Sequence, residues 1–381
     1  MARDAVRQFE AAFAEYQGAA AARAFWMGRV GLCAVLRALG VAEGDRVGLC
    51  AYTCLGTVEG VCRLRARPVF LDVDRHMNIA PAALERPNTP LKALVLQHTF
   101  GVPSDIDAAL SRAHKDNIPV IEDCCHALGA TWKERLVGTF GVAAIFSFQW
   151  GKSFSTGQGG MLTFQDASLA RELDRLAATD AVVPTWREAG SLAVQRQLFR
   201  WFVTPRTRPW LRKVYGWACN RGLISGSEPT SEQLLGPAKG FFKLCSPGQA
   251  RAGLRQLRLW PETMQRRCET AAEIHRELDR AGVAFERPDS CASPVYLRCP
   301  VWVRSKQAAL ETSAAQNLDV AGWYCTPAHP LEGRALEELG YQPGSCPTAE
   351  AAFARVVTLP TWPALKPAQL GAAVRIIQNA V

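Results

Sequence analysis

Lys152 is the only charged side chain in the thirty residues from Leu136 to Gln165, set in the run SFQWGKSFSTGQGG. An amine confined among aromatic and glycine residues is expected to be desolvated. Desolvation disfavours the ammonium form and frees the nitrogen as a nucleophile, which a Schiff-base lysine requires. The competing reading is a surface lysine that keeps its head in water from a loop. The lack of any other charge nearby and the Gly, Ser and Thr around it favour the chemical role.

A second group lies 29 residues earlier, in PVIEDCCHALGA. An apolar run ends in Glu122 and Asp123, and His126 follows. In open α/β sheets ligands sit beyond the carboxyl ends of strands. An Asp there can hold a ring nitrogen protonated, or it can simply cap a helix. Paired with an isolated lysine, it suggests pyridoxal 5'-phosphate (PLP): the lysine joins the cofactor aldehyde and the Asp keeps the pyridine ring an electron sink. His98 and His329 stand alone, which fits structural or substrate-rim positions. Gln158, Gly159 and Gly160 suggest a tight backbone approach beside the lysine loop. The sequence offers no metal-binding spacing.

These residues need a sheet to position them, and the pattern supplies one. GRVGLCAVLRALG predicts a helix stopped by Gly40. Strands are expected at Arg46–Cys50, Pro68–Asp72, Lys92–Gln97 and Ile118–Glu122, with a helix from Asp105 to Lys115. Ala143–Phe148 and Gly160–Phe164 read as a tight return in the same sheet. The alternation implies crossover units on a mostly parallel sheet. Ser246–Leu278 predicts a long helix interrupted at Pro261. A smaller unit follows, with strands near Val295–Val303 and helices near Gln307–Asn317 and Pro367–Ala380. The expected division is a large unit at 1–245 and a bridging helix with a small C-terminal α/β unit at 246–381.

From Arg46 to Asp166 the chain resembles the DegT/StrS family of PLP-dependent aminotransferases. The stretches that carry the resemblance are GDRVGLCAYTC, ARPVFLDVD, VLQHTFGVPSDID, PVIEDCCHALGA, VGTFG, FSFQWGKSFSTGQGG and, near the end, VVTLPTW. It implies the fold-type I aminotransferase architecture: a large domain with a mostly parallel, seven-stranded-type sheet and a smaller C-terminal α/β domain. It also implies a homodimer, and the transfer of an amino group from an amino acid such as glutamate or glutamine to a ketone, typically a keto sugar on a nucleotide. Such reactions serve natural-product or surface-polysaccharide biosynthesis. By this resemblance Lys152 carries the cofactor and Asp123 meets its pyridine nitrogen. His126 lies beside the ring, Ser147 touches the phosphate, and Gly28 and Arg29 open a helix beneath it. Three positions depart from the family. The stacking aromatic falls at Cys54, which leaves Tyr52 or His126 to take its place. Arg29 stands where Thr is usual, and a phosphate-side Asn falls at Phe241, near Lys243. Two other readings are a PLP-dependent dehydratase acting on a sugar nucleotide and a non-catalytic regulatory protein with the same fold; the presence of Lys152 argues against the first.

Composition sets the limits. The chain has 381 residues, 48% of them hydrophobic and 21% charged, as in globular proteins, so fibrous and disordered classes are excluded. Thirteen cysteines without CxxC spacing suggest a reduced, cytoplasmic protein. The charged start gives no apolar signal core, and no stretch is apolar enough to span a membrane. The net charge of +9 is concentrated: eight basic residues and one acidic lie between Arg187 and Arg221. A charge confined to one segment argues against nucleic-acid binding. Interleaved with Phe199, Trp201, Phe202, Trp210, Tyr215 and Trp217, the segment 187–221, part of an insert at about 187–225, suggests two short amphipathic helices parted at Pro205 and Pro209. They would pack on the domain or meet an anionic membrane surface.

Overall fold

The computed structural model describes residues 2–85, 90–202, 221, 240–361 and 366–381. Elements are numbered below in chain order as they are introduced.

Seven strands form one sheet: β1 (Ala21–Phe25), β2 (Arg46–Cys50), β3 (Arg67–Leu71), β4 (Ala93–Gln97), β5 (Val120–Asp123), β6 (Ala143–Ser147) and β7 (Gly160–Phe164). Across the sheet they run β1, β7, β6, β5, β4, β2, β3. β7 alone runs against its neighbours, pairing Phe25 with Gly160 on one side and Ser147 with Gly160 on the other. The return from β6 to β7 is therefore an antiparallel step within one sheet. The other strands are parallel, so Gln97, Asp123 and Ser147 end on the same edge, where a ligand crevice belongs.

The buried strands read as continuous apolar runs: every residue of β4, β5 and β7 is buried. That is expected where helices cover both faces of a sheet. α1 (Ala2–Gln17), α2 (Gly28–Ala38) and α3 (Leu55–Cys62) pack here, and Gly40, at φ +76, follows α2 as the sequence suggested. α4 (Ile106–Lys115) is capped by Asp105, whose side chain accepts the Ala108 N–H. α5 (Ala167–Asp180) and α6 (Trp186–Phe202) follow.

α7 (Pro247–Arg280) opens with a capping box between Ser246 and Gln249. It corrects one expectation, since it runs unbroken through Pro261. The proline lies on the exposed face, where water can meet the carbonyl it leaves without a donor, and packing on both sides holds the turns together. Ala250 and Trp260 of α7 belong to the main core, whereas Ala271, Ile274 and Leu278 join a second apolar cluster. That cluster also contains residues of β8 (Arg298–Trp302), β9 (Val356–Pro360), α8 (Lys306–Ala315) and α9 (Pro367–Ala380).

Of the basic segment, α6 is described. It leaves Trp186, Val194, Leu198 and Phe199 exposed, and Trp150 packs against Phe199 with ring centroids 4.6 Å apart. The two helices expected around Pro205 and Pro209 lie outside the described residues. No helix among the described residues is long and apolar enough to cross a membrane.

Candidate active site

A cavity of about 590 Å³, open to solvent, lies at the carboxyl edge of the sheet. Its lining includes Gly28, Arg29, Cys54, Asp123, His126, Ser147 and Lys152, the positions that the sequence resemblance sets around a cofactor, but not Tyr52 or Phe241.

Lys152 sits in the loop between β6 and β7. Its N–H donates to Gln149 O (3.1 Å), and the loop is tied down by Phe148 N to Gly159 O and Trp150 N to Gly157 O. Gly157, at φ +87, lies under the Trp150 ring, and a Cβ there would come within 2.8 Å of it. Lys152 is half-buried, not removed from water as its neighbours in sequence suggested, because the amine faces the open cavity.

Asp123 ends β5 and is 3% exposed. Its Oδ1 accepts the Cys125 N–H (3.0 Å), and its Oδ2 accepts the Thr57 hydroxyl (3.3 Å), so it caps no helix and its carboxylate is held at the crevice. The neighbouring Glu122 points away from the cavity. It accepts the N–H groups of Gly138, Phe140 and Gly141 and fixes that turn. His98 joins Glu122 through Nε2 (3.2 Å) and accepts the Ser104 N–H at Nδ1. His98, Glu122 and Cys124 bring ligand-type atoms within 4.8 Å of one another. Both Glu122 oxygens are already engaged by backbone N–H groups, so the carboxylate and His98 act as an anchor for the turn at 138–141, and burial pushes the neighbouring Cys124 thiol well up.

His126 is buried, and its Nδ1 accepts the Phe100 N–H (3.2 Å). The proton of the neutral ring therefore sits on Nε2, which faces Tyr324 Oη at 3.4 Å. Burial, and then the nearby Lys152 ammonium, hold His126 well below the usual histidine range. Burial likewise pushes the Cys125 thiol and the Tyr324 phenol upward.

At the other end of the cavity the backbone is packed to its limit. A Cβ on Gly160 would lie 2.4 Å from Gly28 N, and one on Gly28 would lie 3.2 Å from Ser147 Cβ. The start of α2, the end of β6 and the start of β7 thus meet closely, and the positive end of the α2 dipole and the Ser147 hydroxyl at that point suit an anion. Arg29 lines this end, with Nη1 donating to Glu59 Oε2. Arg63 Nη2 donates to the other Glu59 oxygen (2.7 Å) and lies over the Phe241 ring. Lys243 pairs with Glu188.

Two stacking candidates are separated by the structure. Tyr52 is fully buried away from the cavity, packed on Phe353 (5.3 Å, 10°), so it cannot take the place of an aromatic at Cys54. His126 does line the cavity, as does Cys54, whose Sγ lies 3.8 Å from Thr57 Oγ1. His329 pairs with Cys54 across a short parallel bridge and packs near Tyr324 (5.6 Å between ring centroids). Tyr324 was not singled out from the sequence; it meets His126 across 198 residues of chain.

The residues present fit PLP. The cradle at Gly28 and Ser147 would suit its phosphate, the buried Asp123 carboxylate could accept a hydrogen bond from its ring nitrogen, and Lys152 has the amine to join it.

The model of the DegT/DnrJ/EryC1/StrS aminotransferase family matches residues 2–192 and 233–378. Over 188 residues the chain is 37% identical to a spore coat polysaccharide biosynthesis protein of Bacillus subtilis (strain 168), covering 49% of this chain and 48% of that protein. Over 174 residues it is 38% identical to an L-glutamine:2-deoxy-scyllo-inosose aminotransferase of Micromonospora echinospora, covering 45% and 41%. The matched segment thus spans less than half the length of each of these curated relatives. Among solved structures, an aminotransferase from Psychrobacter cryohalolentis superposes with a TM-score of 0.76 at 23% identity, covering 99% of this chain and 91% of that one. The PLP form of a sugar aminotransferase, described as putative, from Streptococcus pneumoniae gives 0.76 at 18% identity, with the same coverage.

Proposed function

Since this chain belongs to the DegT/DnrJ/EryC1/StrS aminotransferase family, we propose that it is a PLP-dependent aminotransferase moving an amino group from L-glutamine or L-glutamate to a ketone on a sugar or cyclic polyol. One observation carries the reading: Lys152, Asp123, His126 and Ser147 converge on one cavity at the sheet's carboxyl edge. The glutamine-dependent inosose aminotransferases among the relatives favour that donor and a polyhydroxy ketone over other pairs.

When bound, PLP supplies a carbonyl that joins to an amine and a ring that takes up electrons. Lys152 serves first as the amine that holds the cofactor. The same amine, when not bonded to the cofactor, would be placed to act as the base that takes the proton from the donor Cα and gives it back. Asp123 accepts a hydrogen bond from the pyridine nitrogen and so favours its protonated form. The Gly28 and Ser147 cradle fixes the phosphate, which sets the ring's position relative to Lys152.

The same reading includes a homodimer, a cytoplasmic location and a division of the chain near Ser246. It further includes contact of 187–221 with an anionic membrane surface, for which the exposed Trp186 beside Arg187 and the exposed Phe199 on the same helix are the support. The test of the activity is spectroscopic. L-glutamine should convert the PLP-loaded protein to its amine form, and scyllo-inosose, 2-deoxy-scyllo-inosose or a keto-sugar nucleotide should convert it back. A protein that binds PLP but exchanges with no donor would favour the non-catalytic reading.

A further inference from the structure

Among the described residues, sixteen of the seventeen that line the cavity fall between Met27 and Gly159, and the other is Tyr324, brought in from the C-terminal part of the chain. Its backbone is clamped on both sides. The Tyr324 N–H donates to the buried Tyr52 hydroxyl (2.8 Å), which in turn donates to Trp323 O. Lys306 Nζ donates to Tyr324 O (2.8 Å) and to Phe353 O (2.9 Å). A side chain whose backbone is fixed in this way holds its hydroxyl in place at little further entropic cost.

The direction of the hydroxyl proton follows from His126. Because His126 Nδ1 accepts the Phe100 N–H, the Nε2–H is the donor to Tyr324 Oη, and the tyrosine's own proton is left to point elsewhere. Among the described residues no other protein acceptor takes it. We propose that Tyr324 is the hydrogen-bond donor for the ketone substrate, giving its phenolic proton to an oxygen of the acceptor bound beside Lys152. Gly28, Ser147, Asp123 and Lys152 face the cavity from the sheet edge and fit the cofactor; Tyr324, the one described lining residue from the C-terminal part, then meets the molecule that changes between half-reactions. Burial keeps the phenol protonated and His126 neutral, so this donor persists across the neutral pH range.

The inference rests on the aminotransferase reading. The experiment uses the PLP-loaded enzyme and Tyr324→Phe, which removes one oxygen and keeps the ring. The two half-reactions are followed separately, with L-glutamine as donor and, as acceptor, the ketone of the panel above that the wild type turns over fastest. Expected is a roughly tenfold loss in kcat/KM for the acceptor half-reaction, in line with one buried neutral hydrogen bond. The glutamine half-reaction should stay within about twofold and the pH titration of the cofactor absorbance should not move. An unchanged acceptor half-reaction overturns the proposal. So does equal slowing of both halves or a shifted titration, either of which assigns the hydroxyl to the cofactor instead. A wild type that aminates no ketone defeats the functional reading itself, and with it the premise of this one.

Discussion

Arg29 and Glu59 form a buried ion pair at the end of the cavity where α2 begins, with side chains 9% and 3% exposed. A positive side chain in the first turn of α2 adds to the positive end of the helix dipole, and Glu59 offsets both. Glu59 also holds Arg63, so it is the centre of the cluster. Glu59→Ala would remove the carboxylate that Arg29 and Arg63 share and is expected to cost about 3 kcal/mol. Arg29→Thr leaves Glu59 still paired with Arg63 and should cost less. Urea unfolding of the two variants checks the order; a Glu59→Ala variant as stable as wild type would contradict it.

The approach of Gly160 to Gly28 predicts a defect in binding more than in folding. In Gly160→Ala the new methyl would overlap backbone at 2.4 Å, so the start of α2 must move away from β7. Overpacking of this kind costs about 1–3 kcal/mol. PLP affinity, measured by equilibrium dialysis, should fall at least about tenfold if that movement opens the phosphate cradle.

Asp123→Asn keeps the shape but presents an amide to the Cys125 N–H and the Thr57 hydroxyl. With the charge gone, the pyridinium loses its partner, and turnover should fall roughly 100-fold or more. Steady-state kinetics at saturating PLP provide the check. Wild-type turnover would mean that Asp123 is not the ring-nitrogen partner.

His126 gives a pH signature. Its folded-state value is lowered by burial and then by Lys152, so below the unfolded value of about 6.5 the unfolded chain binds a proton that the native state does not. Its contribution is present above pH 6.5 and is lost as pH falls from there, at up to about 1.4 kcal/mol per pH unit. Wild type should therefore lose stability relative to His126→Gln between pH 7.5 and 5.0. A constant difference across that range would contradict this.

Liposome co-sedimentation addresses the basic segment. Binding to anionic but not neutral vesicles, weakened by salt and by Trp186→Ala, is expected if 187–221 meets a membrane surface. No binding at low salt would leave the segment as a packing element.

Much of the cavity was legible in the sequence because its residues lie in short local motifs at strand ends. Lys152 stood out by the absence of other charge, and Asp123 by the apolar run before it. What was hidden depends on packing between distant segments. Tyr324 reaches the cavity only because Tyr52 and Lys306 clamp its loop. The Arg29 and Glu59 pair needs α2 against α3, and no spacing rule relates the two residues. Tyr52 looked available for stacking because its burial behind β2, against Phe353, is invisible locally. Pro261 suggested a break by the local rule for helix interiors, and the packing of α7 on both sides of it against two apolar clusters holds the helix together.

The central claim is that Lys152 carries the cofactor, and borohydride reduction followed by peptide mapping tests it most directly. The PLP-loaded protein, reduced and digested, should carry the pyridoxyl label on the peptide containing Lys152, and Lys152→Ala should fold but give no such label. A label on another lysine, or a Lys152→Ala protein that still holds a borohydride-reducible bond to PLP and transfers amino groups, would contradict the account.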